Sequence, residues 1–210
     1  MTLANLQSKL RATFNNPNDS ELKILASEIK LVLDQALAAD DLDAANKSWY
    51  LYTLTARLVD YLAAYSDIKT EAYYKAWCAL ERIEISVANL KRNRFIEELR
   101  EHADALGVLI AAWQALYPYH IFFSPEIIIK REKCSVCGLD VSPWDDCGHR
   151  RGYVYSGVPC HYNVVDMEFR GVSLVSDPVQ KFSVPFTSDE NGEKVDQYDY
   201  SPVKFVADRL

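Results

Sequence analysis

Cys134-Ser135-Val136-Cys137-Gly138, and then Cys147-Gly148-His149 with nine residues between Cys137 and Cys147, is the stretch around which the chain is organised. Zinc takes four ligands in a tetrahedron, and thiolate and imidazole suit it. The two residues between Cys134 and Cys137 let both sulfurs point into one tight turn. Gly138 follows where such a turn calls for a positive φ and has no room for a Cβ. Cys147 and His149 offer a second pair on a second turn, again with a glycine beside the thiolate. The connector carries Pro143, Trp144, Asp145 and Asp146, which suit a loop better than a helix. The spacing therefore predicts a metal site of Cys134, Cys137, Cys147 and His149, with zinc as the ion and no open coordination position, so a structural site.

Cys160 and His161 lie close downstream, and either could replace Cys147 or His149. They sit between Val158-Pro159 and Tyr162-Asn163-Val164-Val165, which read as strand, so at most one of them faces the metal. Two plainer readings stand beside these. Cys134 and Cys137 could be buried thiols that happen to lie three apart. A Cys-x-x-Cys pair can also be a redox motif, but that needs a strand before it and a helix after it, and Pro143 and the glycines oppose the helix.

Outward from this segment, composition divides the chain near residue 118. No proline occurs between Asn18 and Tyr117, and the first glycine is Gly107; seven of eight prolines and six of seven glycines follow from Pro118 onward. The fold expected is α+β: an N-terminal all-α bundle over 1–118, then a small zinc-stabilised antiparallel β module over 119–210. In the first part, Leu3, Leu6, Leu10 and Phe14 have helical spacing. Asn15 to Asn18 breaks that helix, and Asp19 or Ser20 caps the next, whose stripe is Leu22, Leu25, Ile29, Val32 and Ala36. Asp41 caps a third helix with two stripes, one running from Trp49 to Ala63 and one from Leu51 to Tyr65. Such a wide apolar face predicts a central position in the bundle or burial by a partner.

Ser66 and Asp67 are expected to begin a fourth helix with the seam Ala76, Leu80, Ile83, Val87 and Leu90. The pattern resumes out of step after Lys91 to Arg94, as Phe95, Leu99, His102, Leu106, Leu109, Trp113 and Leu116. A single helix from 68 to 117 would be about 75 Å long, too long for this bundle, so a corner is expected at 91–94. His102 is read as a hydrogen-bonded packing residue, and the tyrosines between Tyr50 and Tyr74 as filling the bundle, with an exposed partner patch as the alternative.

In the second part, short strands are expected at His120–Phe123, Glu126–Lys130, Tyr153–Gly157, Tyr162–Val165, Phe169–Val175 and Gln180–Phe186. Thr187 to Asp199 reads as an acidic surface loop or tail.

Cys134-Ser-Val-Cys137-Gly138 is similar to one half of zinc-ribbon and rubredoxin-like knuckle proteins. The second half departs, with Cys147-x-His149 in place of another Cys-x-x-Cys. The longer series Cys-x-x-Cys-Gly, Cys-x-His-x-x-Gly, Tyr-x-Gly and Ser173-Leu174-Val175-x-x-Pro178 resembles segments of uncharacterised bacterial and phage proteins, and its end resembles phage prohead proteases. These likenesses cover about residues 130–180. They imply a metal-stabilised β module; no catalytic pair of the protease family is matched, so no activity comes with them.

The chain has 210 residues, 49% hydrophobic and 25% charged, with five cysteines and a net charge of −7. No apolar run is long enough for a membrane span, and Met1 to Lys9 does not read as a secretory signal. A reducing cytoplasm is expected from three cysteines in metal spacing and an odd total. The acidic balance disfavours broad nucleic-acid binding. Lys130, Arg131, Lys133, Arg150 and Arg151 surround the ligands, but Glu126, Glu132, Asp140, Asp145 and Asp146 nearly cancel them. His102-Ala-Asp104 before Cys134-x-x-Cys137 echoes a nucleobase deaminase, whose signature needs a glutamate and a proline where Asp104 and Lys133 stand. With no phosphate-binding loop or nucleophile motif, the leading expectation is a non-catalytic zinc-binding adaptor that binds a protein partner or itself through the bundle. Nucleic-acid binding and zinc-dependent hydrolysis or deamination are the alternatives.

Overall fold

The computed structural model describes residues 2–117, 119–142, 147–176, 178, 180, 182–192 and 194–196. Among these, five α-helices precede an antiparallel β part, and the fold is α+β. Pro118, read as the end of the helical part, lies outside the described residues, as do the Pro143–Asp146 connector, Glu193 and residues 197–199 of the acidic segment.

Helix α1 (Leu3–Phe14) buries Leu6 and Leu10 completely. Helix α2 (Asp19–Ala38) is capped one residue earlier than expected. Asn18 is the cap, its side chain accepting from the Ser20 and Glu21 amides at 3.0 and 3.2 Å. Asp19 and Glu21 then lie in the first turn, where the helix dipole favours negative charge. The chain leaves α2 through Asp40 at φ 53, with the Asp41 amide donating to the Ala36 carbonyl at 3.0 Å. This is a left-handed stop of the kind glycine usually serves. Asp41 caps helix α3 (Leu42–Asp67) as expected.

α3 is the central helix, packed on α1, on α2 and on helix α4 (Tyr73–Arg92). It runs past Ser66 and Asp67, which do not begin the next helix. The turn between α3 and α4 contains neither glycine nor proline. Thr70 makes it, donating its hydroxyl to the Asp67 carbonyl at 2.7 Å and accepting from the Ala72 amide at 3.1 Å. The α4 seam is buried throughout. The corner after it is real: α4 stops at Arg92, and a 3-10 turn (Glu97–Leu99) leads into α5 (Arg100–Gln114). The buried side of α5 is Ala103, Leu106, Ile110 and Gln114. Leu109 and Leu116, expected inside, are exposed.

Two strands are much longer than expected, and the others are only two or three residues long. β1 (Phe122–Cys134) is continuous through Ser124-Pro125, and β5 (Tyr162–Val175) joins the two segments expected there. They pair antiparallel along their whole length and form a two-stranded ribbon, to which β2 (Asp140–Val141) adds only at Glu132 and Lys133. Phe123 lies opposite Leu174 and Pro125 opposite Val172; then, past a bulge that makes Arg170 an extra residue, Ile127 lies opposite Phe169 and Ile129 opposite Met167. β3 (Val154–Tyr155) and β4 (Val158–Pro159) form a small hairpin, with Ser156 at φ 49 and Gly157 at φ 70. β6 (Phe186–Ser188) and β7 (Lys194–Asp196) form another, so the expected acidic loop is in part a hairpin, and Gln180–Phe186 is strand only at its end.

The β part is attached to the bundle through the ribbon at one place and through the β3–β4 hairpin at another. Phe122 stacks on Tyr117, which sits edge-on to Trp77 near the start of α4. At the other end of α4, Val154 joins the core formed by the helices. No helix among the described residues is long and apolar enough to cross a membrane.

Candidate metal centre

The four residues chosen from spacing converge. The ligand atoms of Cys134, Cys137, Cys147 and His149 all lie within 4.8 Å of one another. Each reaches the cluster for a local reason. Cys134 ends β1, and its backbone is held on both sides: its amide donates to the Leu139 carbonyl at 2.9 Å, and its carbonyl accepts from the Gly138 amide at 2.8 Å. Gly138 takes φ 73, the conformation that closes the knuckle without a Cβ penalty. Gly148, between Cys147 and His149, takes φ 78 and turns the second pair inward.

Cys134 is buried, whereas Cys137 is exposed and Cys147 and His149 are half-buried. Burial pushes the Cys134 thiol up, but the amides of Cys137 and Val136, the latter 3.4 Å from Sγ, outweigh it and bring the pKa down to about 6. Amides aimed at sulfur are what a thiolate needs in order to persist before and after a cation arrives.

The imidazole of His149 stands edge-on to Tyr155 at 4.5 Å between ring centres, and its Nδ1 is buried with no hydrogen-bond partner. A bound cation would supply the interaction that this ring lacks. The backbone around it is fixed by two phenols: Tyr162 donates to the His149 carbonyl at 2.9 Å, and the Arg150 amide donates to the Tyr155 hydroxyl at 2.9 Å. Ligands oriented by such surrounding bonds need little rearrangement on binding.

Cys160 and His161 part company, although they lie between β4 and β5 and not within the strand expected there. Cys160 is 2% exposed, with Sγ 3.9 Å from that of Cys134. Four thiolates at the usual Zn–S length of about 2.3 Å would be separated by about 3.8 Å. Cys160 is thus a fifth candidate, its thiol pushed up to about 11 by burial and by the neighbouring Cys134. The His161 ring is exposed and lies 3.4 Å from the Pro159 carbonyl; it is not in the cluster.

The surrounding basic residues are largely engaged with acids. Arg131 forms a two-pronged pair with Asp140 at 2.9 Å, Lys130 meets Glu168 at 2.9 Å, and Arg151 meets Glu132 at 3.0 Å. His102 is elsewhere, on α5, edge-on to Phe14 at 4.6 Å, with Nδ1 buried and no hydrogen-bond partner; the hydrogen bond expected for it is absent there. Asp104 pairs with Lys91 at 3.2 Å. The deaminase-like spacing therefore does not bring His102 to the cysteines.

Sequence reasoning passed over Asn93. It ends α4 at the corner, is 4% exposed, and ties the bundle to the turns beside the candidate ligands. Its Nδ2 donates to the Asn89 and Gly152 carbonyls, each at 2.8 Å, and its Oδ1 accepts from the Val154 amide at 2.9 Å. Asn46 on α3 accepts from the Gly157 amide at 2.9 Å. The available signal was a polar residue interrupting two apolar stripes.

No family model, curated protein or solved structure matches the chain. The geometry therefore stands by itself: a Cys3His cluster beside the sheet that could hold a metal ion.

Proposed function

We propose that the protein is a non-catalytic zinc-binding interaction protein, in which zinc closes the β part and fixes it against the helical bundle. The observation that carries this reading is the convergence of three thiols and one imidazole within 4.8 Å. That donor set matches zinc better than a hard cation, which would take oxygen ligands. Four protein ligands leave no position for a substrate or an activated water. Thiolate ligation also fits a reducing compartment.

Metal content per chain, measured on protein purified without added metal, tests the proposal. One zinc per chain, lost in Cys137→Ser, supports it. A metal-free wild type under reducing conditions removes it.

The 3.9 Å approach of Cys160 to Cys134 favours a second ligand set, with Cys160 in place of His149. Zinc retained in His149→Ala and lost in Cys160→Ser would select that set. Nucleic-acid binding is the weaker functional alternative, because three of the basic residues beside the site already pair with carboxylates. Steeply salt-dependent affinity for DNA or RNA would revive it.

A further inference from the structure

The ribbon of β1 and β5 presents one apolar side that nothing covers among the described residues. With side chains alternating along each strand, the four cross-strand pairs from Phe123–Leu174 to Ile129–Met167 fall on one face. Phe169 is 62% exposed, Met167 and Leu174 58%, and Val172 56%. The opposite face is mainly polar, with Ser124, Glu126 and Ser173, and with Lys130 and Arg170 paired to Glu168 at 2.9 and 3.0 Å, interrupted by Ile128, which is 44% exposed. The ribbon is thus amphipathic, with its oily side in solvent.

Two strands alone are marginal in water; a ribbon needs a further layer on its apolar side. We propose that this layer is the same face of a second copy of the chain, related by a twofold axis. Three observations favour a copy over other covers. The face carries no charge although the chain carries −7, so two copies meet there without repulsion between like charges. The same acidic balance opposes an anionic bilayer as the cover. Eight side chains left about half exposed offer on the order of 700 Å² per chain, so two faces would bury about 1,400 Å², the size of a stable interface. The packing would be two aligned ribbons face to face, as in a β-sandwich. The inference rests on the interaction reading above and moves the contact surface from the bundle to the ribbon.

Sedimentation equilibrium of the full chain at micromolar concentration tests it, with metal content measured on the same samples. The wild type is expected at twice the 23.9 kDa chain mass. Phe169→Asp and Val172→Asp should each weaken association by about a hundredfold, since each buries an unpaired carboxylate. Ser173→Asp on the other face should leave the dimer intact. A monomeric wild type overturns the proposal, whether the face binds neutral lipid vesicles or nothing. So does a dimer that survives both apolar-face variants, or one that Ser173→Asp dissolves equally. Both apolar-face positions are exposed, so folding should persist, and unchanged helical circular dichroism verifies that. A monomer that still holds zinc sinks only the ribbon contact, whereas a metal-free dimer sinks only the zinc reading.

Discussion

Asn93 carries more of the architecture than any cysteine outside the cluster. Asn93→Ala would leave the buried Gly152 carbonyl and Val154 amide without partners. Each orphaned group costs about 1–3 kcal/mol, so the loss should be about 3 kcal/mol by denaturant unfolding. Gly152→Ala should cost less. A Cβ there meets Arg92 Nη1 at 1.7 Å, but that is the tip of a flexible side chain that can swing away. What remains is the left-handed φ of 80, worth about 1–2 kcal/mol, together with a 3.0 Å approach to Asn89 Oδ1 and the loss of exposed Arg92's bond to the Arg151 carbonyl. A Gly152→Ala loss equal to that of Asn93→Ala would contradict this ranking. His102 gives a prediction in pH. Burial first, then Arg11, lowers its pKa below the ordinary 6.5. A depressed folded pKa means the neutral ring is favoured, so its contribution is complete above pH 6.5 and is lost as pH falls through the folded value. His102→Phe should flatten the part of the stability decline that begins just below pH 6.5, read from unfolding midpoints across pH.

At the level of elements, a bound ion should order the candidate metal turns, while the helices stay folded, though less stable, without it. Chelation should raise amide hydrogen exchange across Cys134–Gly138 and Cys147–Cys160 and leave α1 to α3 protected. Exchange measured by mass spectrometry decides this, and uniform deprotection would contradict it. The helices were legible because apolar spacing and the absence of proline left few alternatives, and the convergence of the four candidate ligands because two knuckles announce themselves with glycines. The errors have identifiable causes. The α3–α4 turn was displaced because Thr70 makes it with a hydroxyl, where sequence reading looks for glycine or proline. The α5 stripe was read one position out at Leu109, since one residue is 100° of rotation and Ile110 competes for the same groove. β1 was split at Pro125 because proline lacks a donor. There, however, the Phe123 amide two residues back points away from β5 to the Ser183 carbonyl, so the Pro125 nitrogen faces the same outer edge, where no strand lies beside it among the described residues, and the missing donor costs no ladder bond. Asn93 was illegible because its partners lie about sixty positions away.

Over the whole molecule, the core is shared. Phe122 and Val154 from the β part pack into the same cluster as the helices, so the metal centre is fastened to the bundle at close range. Removing the ion should therefore lower the thermal midpoint of the entire chain as well as loosening the knuckles. Calorimetry with and without chelator checks this; an unchanged main transition would mean that the bundle ignores the ion.

The bond from Asn93 to Gly152 also sets an order of events on the ribosome. The first helices can wind as soon as they emerge, yet the polar plug of the α4–α5 corner lacks its distant partners until residue 154 has left the exit tunnel. Until then the corner is a hinge, and the growing chain carries a half-finished angle. Synthesis of the last third is what latches it.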